Sequence, residues 1–390
     1  MNTDSNRFPS SNSIYHIFKA DAYFHTLDMI ENIIKFSKYK HFFVIVGINE
    51  ITKPFFDTLF LNHHYNQYTY IYEKSSSRST RLISNILKRL LHIELLNFEN
   101  DLLKYISNSS INSLILHSNF TTMFYLLFSF MKNINKTWVC WGSIYNPKRS
   151  NFIKYTLGIY LYKIIYNNYS NIICTMQADC DHLIKLYNVK NTCFIPYYSD
   201  LCIVAKSLIK EEIKNNNIRV LLGNNGSCVD SYYADLRKLE IHKNKNIEID
   251  CMLNYGCTEK QKLNLISTAV SHFGSQFKAH TTLLPKEQYY NFMSNCDIYI
   301  SSVKAQSGLG AIYLLLLLGK KIFLAGKNYE HIHSFGAIIY QSDQIMEFSF
   351  QEFCKPLTNK EKEHNYLVTM KLLNIEDVVI KWEQFYNKLS

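Results

Sequence analysis

Residues 218–227 read IRVLLGNNGS, an apolar run that ends in two glycines separated by two asparagines. The segment Ile218 to Leu222 is typical of a buried strand in a parallel sheet. Gly223 to Ser227 then forms a tight polar loop, and residues 232–240 have the spacing of a helix. Strand, loop and helix in this order are the repeating unit of an α/β fold.

The same alternation extends over the rest of the chain. Strands or extended segments are predicted at 15–18, 41–46, 68–72, 113–117, 137–141, 172–175, 192–195, 247–253, 282–284, 296–301 and 321–325. Helices are predicted at 121–131, 178–187, 259–273, 286–295 and 310–318, with an amphipathic helix at 375–389. Because strands and helices alternate, we expect parallel sheets with helices on both faces.

A charged and polar stretch at 208–217 interrupts this alternation and is typical of a connection between domains. We therefore predict a Rossmann-like domain at 1–207, a second at 208–370, and a C-terminal helix at 371–390 that packs across both. Ligands of doubly wound sheets bind at the carboxyl ends of the strands. A cleft between the two domains is the expected active site.

Composition excludes several classes of protein. The 390 residues are 47% hydrophobic and 19% charged, which is typical of a globular chain and not of a disordered one. The ten cysteines form no CxxC pair, so the sequence indicates neither a zinc ribbon nor a thioredoxin-type site. Because the chain is large and its cysteines are scattered, we do not expect a disulfide framework. A reducing cytoplasm is the simplest location for such a chain.

The sequence predicts no signal peptide, because residues 1–13 are polar. It predicts no transmembrane helix, because its apolar runs at 123–131 and 311–318 are too short to span a bilayer. The net charge of +10 is compatible with a peripheral contact to anionic lipid, or simply with a basic surface. Since no RNP, zinc-finger or basic-helix pattern occurs, we do not expect binding to nucleic acid.

The loop Gly223-Asn224-Asn225-Gly226-Ser227 lies where a phosphate or a sugar could bind, since its glycines allow close approach of the main chain. It is neither GxGxxG nor a P-loop, and a tight turn without ligand is the alternative. The stretch Gln306-Ser307-Gly308-Leu309-Gly310 precedes an apolar helix, and Ser307 is its predicted N-cap. The free amides of that first turn could hold a diphosphate, or the segment could only cap the helix. Tyr255, before Gly256, could stack on a base.

In the first half, polar residues follow three predicted strands. These are Asp21 with His25, His117, and Trp141-Gly142-Ser143. A carboxylate or an imidazole at such a position can act as general base toward a hydroxyl, and each could equally be structural. Asp179-Cys180-Asp181 resembles a DxD metal motif, but acidic residues at the start of a helix favour the helix dipole, and we expect no metal there.

Taken in order, several segments resemble the 4-acetamido-4,6-dideoxy-galactose (Fuc4NAc) transferase family of enterobacterial common antigen synthesis. The segments that carry the resemblance are His16 with Asp21, Leu116-His117 with Asn119-Phe120, Trp138 to Tyr145, Thr175 to Tyr187, Phe194-Ile-Pro196, Leu221 to Ser227, Asn254-Tyr255-Gly256, Tyr289 to Asp297 and Gln306 to Gly310. The match runs from about Tyr15 to about Asn328.

The resemblance implies a GT-B fold, with the acceptor bound by the N-terminal domain and a nucleotide sugar, expected to be dTDP-linked, by the C-terminal domain. It implies no metal or other cofactor, an undecaprenyl-diphosphate-linked acceptor, and a cytoplasmic enzyme at the inner face of the cell membrane. On this basis His117 and Asp21 are the candidate catalytic residues. Acceptor binding is expected from His16, His25, Trp141 and Gly142. Donor binding is expected from Gly223, Asn224, Asn225, Gly226, Ser227, Tyr255, Gly256, Gln306, Ser307, Gly308, Leu309 and Gly310.

Two departures from the family pattern leave other functions open. The family's early Gly-Ser-Asp reads Lys19-Ala20-Asp21 here, and the acidic residue expected after Trp141-Gly142-Ser143 is Ile144. The missing acidic residue keeps a non-catalytic binding protein open as an alternative to a transferase. A nucleotide-sugar epimerase of the same fold, which would act on the donor alone, is the other alternative.

Overall fold

The computed structural model describes residues 13–20, 23–73, 95–117, 119–142, 144, 152–208 and 217–389. The chain forms two compact units. Unit 1 comprises residues 1–199 and 375–390, and unit 2 comprises residues 200–374. Most of the polar stretch predicted to connect the domains, residues 209–216, lies outside the described residues.

Unit 1 is built on a parallel sheet, which has seven strands in the part of the chain that is described. The strands are β1 (Ile14–Lys19), β2 (His41–Ile48), β3 (Tyr68–Tyr72), β4 (Ser113–Leu116), β5 (Asn135–Cys140), β6 (Asn171–Cys174) and β7 (Thr192–Phe194). Their order across the sheet is β3-β2-β1-β4-β5-β6-β7. The central strands are buried along almost their whole length, as expected of strands covered on both faces.

Helices follow these strands. In unit 1 they are α1 (Tyr23–Phe36), α2 (Lys53–Asn62), α3 (Asn97–Asn108), α4 (Thr122–Ser129), α5 (Phe152–Asn167) and α6 (Gln177–Tyr187), together with the C-terminal helix Ile375–Asn387. The C-terminal helix returns to unit 1, where its buried side chains join one core with Ile14 and Phe18 of β1. Trp382 is fully buried, and its Nε1 donates to the carbonyl oxygen of Pro196 at 2.9 Å. The helix therefore completes the core on one face of this sheet.

Unit 2 contains a second parallel sheet. Its strands are β8 (Ile218–Leu222), β9 (Ile247–Met252), β10 (Phe277–His280), β11 (Ile298–Ser301), β12 (Lys321–Leu324) and β13 (Tyr340–Gln341), in the order β10-β9-β8-β11-β12-β13. Its helices are α7 (Leu201–Leu208), α8 (Val229–Leu239), α9 (Glu259–Phe273), α10 (Lys286–Ser294), α11 (Leu309–Leu317), α12 (Gly326–Ser334), α13 (Phe350–Cys354) and α14 (Asn359–Leu372). Leu201 and Ala205 of α7 pack in the same core as α11, and this packing places α7 in unit 2.

The extended segment predicted at 282–284 is wrong, because the strand lies earlier, at Phe277–His280. It pairs with β9 at the edge of the sheet, with Phe277 opposite Ile249. Phe277 is buried and Lys278 is exposed, so the strand lacks the continuous apolar run of a central strand. An edge strand of this kind is hard to distinguish from a loop by its composition.

In both sheets the strand order reverses beside the first strand. The chain moves outward from β1 to β3 and then returns to β4 on the other side; in unit 2 it moves from β8 to β10 and returns to β11. The carboxyl ends of β1 and β4, and of β8 and β11, therefore bound the crevices where ligands of such sheets bind.

No helix in the described ranges combines the length and hydropathy needed to span a bilayer.

Candidate active site

The loop after β8 has a shape that is fixed by its own side chains. Asn225 caps a short 3-10 turn, Gly226–Cys228, by accepting a hydrogen bond from the amide of Ser227 at 2.8 Å. From helix α8, the hydroxyl of Tyr232 donates to the carbonyl oxygen of Asn225. The polar loop predicted from the sequence is thus held by its own side chains and by helix α8.

The loop after β9 lies directly against the loop after β8. The amide of Gly226 donates to the carbonyl oxygen of Tyr255 at 2.7 Å, and Nδ2 of Asn225 donates to the hydroxyl of Tyr255 at 3.3 Å. A Cβ atom on Gly226 would lie 2.8 Å from the Tyr255 carbonyl oxygen and 2.5 Å from Sγ of Cys257. Glycine is therefore required at position 226 by close packing between the two loops.

The loop after β11 contacts the loop after β8 from the other side. Gly308 has φ +67, and a Cβ atom there would lie 2.7 Å from Cγ of Asn224. The structure therefore brings segments 223–227 and 306–310 together at the crevice between β8 and β11. Gly223 to Ser227, Tyr255 with Gly256, and Gln306 to Gly310 form one cluster.

The N-cap of helix α11 is Gly308, so the prediction of Ser307 as N-cap is wrong. The left-handed backbone at Gly308 turns the chain into the helix without a side-chain cap. The segment before it is held by Asn328, a fully buried residue missed by our sequence reasoning. Nδ2 of Asn328 donates to the Ser307 carbonyl oxygen at 2.7 Å, and the Ser307 amide donates to Oδ1 of Asn328 at 3.3 Å.

Helix α11 presents its amino end at this cluster. The first backbone bond of the helix runs from the amide of Ile312 to the carbonyl oxygen of Gly308 at 3.0 Å, so the amides of residues 309–311 precede the helical ladder. Residues 311–317 are buried, which fixes the helix axis in the core. The aligned peptide dipoles and these amides favour a negatively charged group at the helix start.

Two further groups of this cluster suit a base or a sugar. The side chain of Tyr255 is 45% exposed. Burial of part of the ring raises the pKa of Tyr255, so its hydroxyl stays protonated at neutral pH. In the described part of unit 2, Oδ1 of Asn254 is buried and makes no hydrogen bond, which leaves an acceptor beside Tyr255.

In unit 1 the predicted residues His16 and His117 are fully buried. Nδ1 of His16 lies 2.8 Å from Nε2 of His117, and Nε2 of His16 lies 2.8 Å from Nδ1 of His41. Burial, reinforced by the neighbouring imidazoles, holds the pKa values of His16 and His117 well below the ordinary value. Since both ring nitrogens of His16 contact other histidines, its geometry argues against direct contact with an acceptor.

The carboxyl edge of the unit 1 sheet carries three buried polar atoms without a hydrogen-bond partner among the described residues. They are Nδ1 of His117, Nε1 of Trp141 and the hydroxyl of Tyr197. The ring centroids of Trp141 and Tyr197 lie 5.6 Å apart, and those of His117 and Tyr197 lie 6.3 Å apart. Such unsatisfied groups are costly unless a ligand or water completes them. Tyr197 was not singled out from the sequence, although it closely follows β7.

The other predicted residues of unit 1 are placed only in part. Gly142 has φ +78 and directly follows Trp141. His25 lies in helix α1, and its side chain is outside the described part of the structure, as is all of Asp21. The catalytic role of Asp21 and the acceptor role of His25 stay predictions.

The DxD-like segment lies at the start of helix α6. Asp179 is fully buried in the first turn of the helix, and Oδ1 of Asp181 accepts from Nε2 of Gln177 at 2.9 Å. A carboxylate in this position interacts favourably with the positive end of the helix dipole. Across the described ranges, no group of three or more His, Cys, Asp or Glu side chains is arranged to hold a metal ion.

Known structures resemble this chain over nearly its whole length. A glycosyltransferase from Rickettsia africae is 12% identical, with a TM-score of 0.65 over 98% of this chain and 99% of the other. Anabaena HepE, in complex with UDP and glucose, is 12% identical, with a TM-score of 0.65 over 97% of this chain and 100% of the other. The pneumococcal O-GlcNAc transferase GtfA, in complex with UDP and GlcNAc, is 11% identical, with a TM-score of 0.57 over 98% of this chain and 99% of the other. No curated protein matches the chain.

The two Rossmann-like sheets and these neighbours define the fold as GT-B. The model of the family described as 4-alpha-L-fucosyltransferase, glycosyl transferase group 56, matches residues 48–369. The chain belongs to this family. The predictions of an α/β GT-B fold and of a transferase are confirmed.

Proposed function

We propose that this glycosyltransferase moves a 4-acetamido-4,6-dideoxy hexose from a dTDP- or UDP-sugar to a saccharide linked to undecaprenyl diphosphate. The product would be a surface polysaccharide such as common antigen, O-antigen or capsule. The observation that carries the proposal is the contact of segments 223–227 and 306–310 at the start of helix α11. The choice of sugar and acceptor is supported by the ordered resemblance between Tyr15 and Asn328.

The diphosphate of the donor is the group that best fits the start of helix α11. Negative charge grows on a nucleoside diphosphate as it leaves the sugar, and amides that are already oriented stabilise that charge without reorganisation. The amides of residues 309–311 meet this requirement, with Asn224 and Ser307 beside them. Because these donors are neutral main-chain groups, we expect no metal to be needed and transfer to continue in EDTA.

The base of the donor is assigned to the neighbouring loop after β9. The half-exposed ring of Tyr255 offers a stacking surface, and Oδ1 of Asn254 offers an acceptor for an N–H group of a pyrimidine. Anabaena HepE and pneumococcal GtfA, which share the fold, were solved with UDP. A pyrimidine nucleotide therefore fits both this chemistry and these neighbours.

The acceptor is assigned to unit 1. Its hydroxyl groups could complete the unpartnered atoms of His117, Trp141 and Tyr197 at the carboxyl edge of the sheet. Trp141 donates, the hydroxyl of Tyr197 donates or accepts, and a neutral imidazole accepts through its unprotonated nitrogen. Such a set matches a sugar hydroxyl that must be oriented and deprotonated.

A membrane contact is proposed for helix α5, at the cytoplasmic face of the inner membrane. Leu157 is 55% exposed and Tyr160 is 66% exposed on this helix. Residues 102–178 contain no Asp or Glu and seven Lys or Arg residues. An exposed apolar face within a stretch free of acidic residues is suited to anionic lipid.

The membrane contact is tested by sedimentation with phosphatidylglycerol vesicles. Leu157→Glu should reduce the bound fraction, because the charge would have to enter the lipid interface. Leu263→Glu is the matched control, since Leu263 is 62% exposed in unit 2. Equal binding of both variants and the wild type would contradict the assignment to α5.

The transferase activity is tested with a panel of dTDP- and UDP-sugars and a synthetic polyprenyl-diphosphate saccharide, with products read by mass spectrometry. Addition of one sugar to the lipid saccharide is the expected result. Conversion of the donor without acceptor would instead favour the epimerase, and binding without turnover the non-catalytic protein.

The donor site is tested separately with Gly308→Ala. The new Cβ atom would displace Asn224, so we expect donor affinity to fall by roughly tenfold, as for loss of one or two hydrogen bonds. Gly336→Ala is the matched control, because Gly336 also has a positive φ, +87, but open space around its Cβ position. Unchanged donor affinity in Gly308→Ala would remove the assignment of the site.

A further inference from the structure

Five side chains of unit 1 form one continuous hydrogen-bonded chain, which we call the histidine relay. It consists of Glu383, Ser37, His41, His16 and His117. Oγ of Ser37 donates to Oε1 of Glu383 at 2.8 Å and lies 2.7 Å from Nε2 of His41. The contacts from His41 to His16 and from His16 to His117 are both 2.8 Å. The relay therefore crosses β2, β1 and β4.

The direction of every hydrogen bond in the relay follows from the carboxylate at its end. A carboxylate only accepts, so the hydroxyl proton of Ser37 points to Glu383 and Oγ accepts from Nε2–H of His41. A neutral imidazole has one N–H, so Nδ1 of His41 accepts from Nε2–H of His16. By the same step Nδ1 of His16 accepts from Nε2–H of His117. All three rings thus carry the proton on Nε2.

This polarity leaves a lone pair at Nδ1 of His117. That atom is buried and has no donor among the residues the structure describes. His117 directly follows β4, at the carboxyl edge where Trp141 and Tyr197 also lack partners, whereas His41 begins β2 at the opposite edge. The relay therefore runs from one edge of the sheet to the other.

We propose that His117 is the general base of the transfer and that the histidine relay carries the acceptor's proton across the sheet to Glu383. This deepens the proposed function and rests on it. The acceptor O–H gives its proton to Nδ1 of His117 while its oxygen forms the new bond to the sugar carbon. The bond from that carbon to the diphosphate oxygen breaks, and the nucleoside diphosphate leaves with the electron pair. Each Nε2 proton moves one step along, and the hydroxyl of Ser37 protonates Glu383.

The relay removes a difficulty that a single buried base would face. Burial lowers the pKa values of His16 and His117, so an imidazolium ion at either position would be unstable. In the relay each ring gives up one proton as it takes another, and no ring becomes charged. The side chain of Glu383 is 15% exposed and pairs with Lys38 at 3.4 Å, so the final proton is released near solvent.

Glu383 and Ser37 lie at the far end of the relay, which makes them the informative positions for mutation. Ser37→Ala and Glu383→Gln should each lower kcat of transfer by roughly 10²-fold to 10⁴-fold, the range for losing proton transfer, with KM for the donor unchanged. Ser37→Thr restores the hydroxyl and should restore most of the rate. Ser207→Ala, which removes an exposed hydroxyl of unit 2, is the control.

The solvent isotope effect separates a relay from a structural role. In mixtures of H₂O and D₂O, wild-type kcat should fall along a curve, because several protons move together, and Ser37→Ala should give a straight line. The relay would be overturned if Ser37→Ala and Glu383→Gln kept the kcat of the wild type and the curved dependence of kcat on D₂O fraction. That result would leave the proposed transferase function intact.

A second measurement does not depend on activity. In ¹⁵N-histidine-labelled protein, His16, His41 and His117 should all show the Nε2–H tautomer in two-bond ¹⁵N–¹H spectra. A proton on Nδ1 of any of the three would overturn the relay, whether or not the donor panel shows transfer. Failure of the panel with the expected tautomers would count against the proposed sugar and acceptor, and not against the polarity of the relay.

Discussion

Lowering the pH should unfold unit 1, because three of its histidines are buried in the neutral form. Burial lowers the pKa of His41 to about 3 and holds the pKa values of His16 and His117 well below 6.5. The unfolded chain takes up these protons near pH 6.5, and the folded chain does not. Stability is therefore complete above pH 6.5 and is lost progressively as the pH falls below it.

The size of the effect follows from the same difference. At pH 5.0, each histidine that stays neutral when folded and titrates near pH 6.5 when unfolded costs about 2 kcal/mol, and three cost about 6 kcal/mol. The total free energy of unfolding of a domain is about 5–15 kcal/mol. The three histidines alone thus remove a large part of the stability of unit 1.

Urea unfolding followed by tryptophan fluorescence measures unit 1 selectively. The chain has three Trp residues, at 138, 141 and 382, and all belong to unit 1. Below pH 6 the free energy of unfolding should fall by about 4 kcal/mol per pH unit. His41→Gln should reduce this slope by about one third. A slope no greater than that of one histidine, about 1.4 kcal/mol per pH unit, would refute the reasoning.

Three further results are expected. Asn328→Ala should weaken binding of the free nucleotide about tenfold by calorimetry, because Ser307 loses both of its hydrogen bonds to the buried amide. Asn295→Ala, at an exposed amide, is the control and should not change the affinity. Equal affinities of both variants would show that Asn328 does not support the nucleotide site. Tyr255→Ala should cost about 1–3 kcal/mol of nucleotide binding and Tyr255→Phe much less, and a similar loss in both would argue against stacking. Trp382→Ala should destabilise unit 1 by about 3–5 kcal/mol in urea, followed through the remaining tryptophans, and a smaller loss would mean that the C-terminal helix contributes little to this core.

The regular part of the fold could be read from local sequence. Strands at 68–72 and 218–222 and the helix at 259–273 have the predicted bounds, since each carries a strong apolar period and clear ends. Helix α3 (Asn97–Asn108) is not predicted from the sequence, because only two of its apolar residues, Leu102 and Ile106, are buried together with Glu99. The weak apolar signal of such a helix is only recognised once its partner is known.

The loops proposed to bind the donor could be located from the sequence, because they follow strands and carry glycines. What the sequence could not supply was their contact, since Asn224 and Gly308 are brought together by the return of the chain from β10 to β11. The start of helix α11 shows the limit of local rules. Ser307 is a good N-cap by composition, but the left-handed turn at Gly308 takes that position.

The histidine relay lay beyond sequence reasoning because its members are distant. His16 and His117 are 101 residues apart, and Ser37 and Glu383 are 346 apart. Their meeting depends on the register of β1 against β2 and β4, in which His16 lies opposite Phe43 and Ile115. A histidine inside an apolar strand, such as His16 in β1, indicates that a buried polar partner exists. Identifying that partner requires the order and register of the strands.

The return of residues 375–387 to unit 1 has a consequence for how the protein is made. A ribosome delivers residues 200–374 before it delivers Trp382 and Tyr386, so the second half of the enzyme has all of its core available while the first half still lacks one side. A growing chain of this length therefore leaves Ile14, Phe18 and their neighbours without their covering helix, and Glu383, the proposed destination of the proton, arrives at the same late moment. Burial of that face and assembly of the proposed proton path are thereby completed together during synthesis.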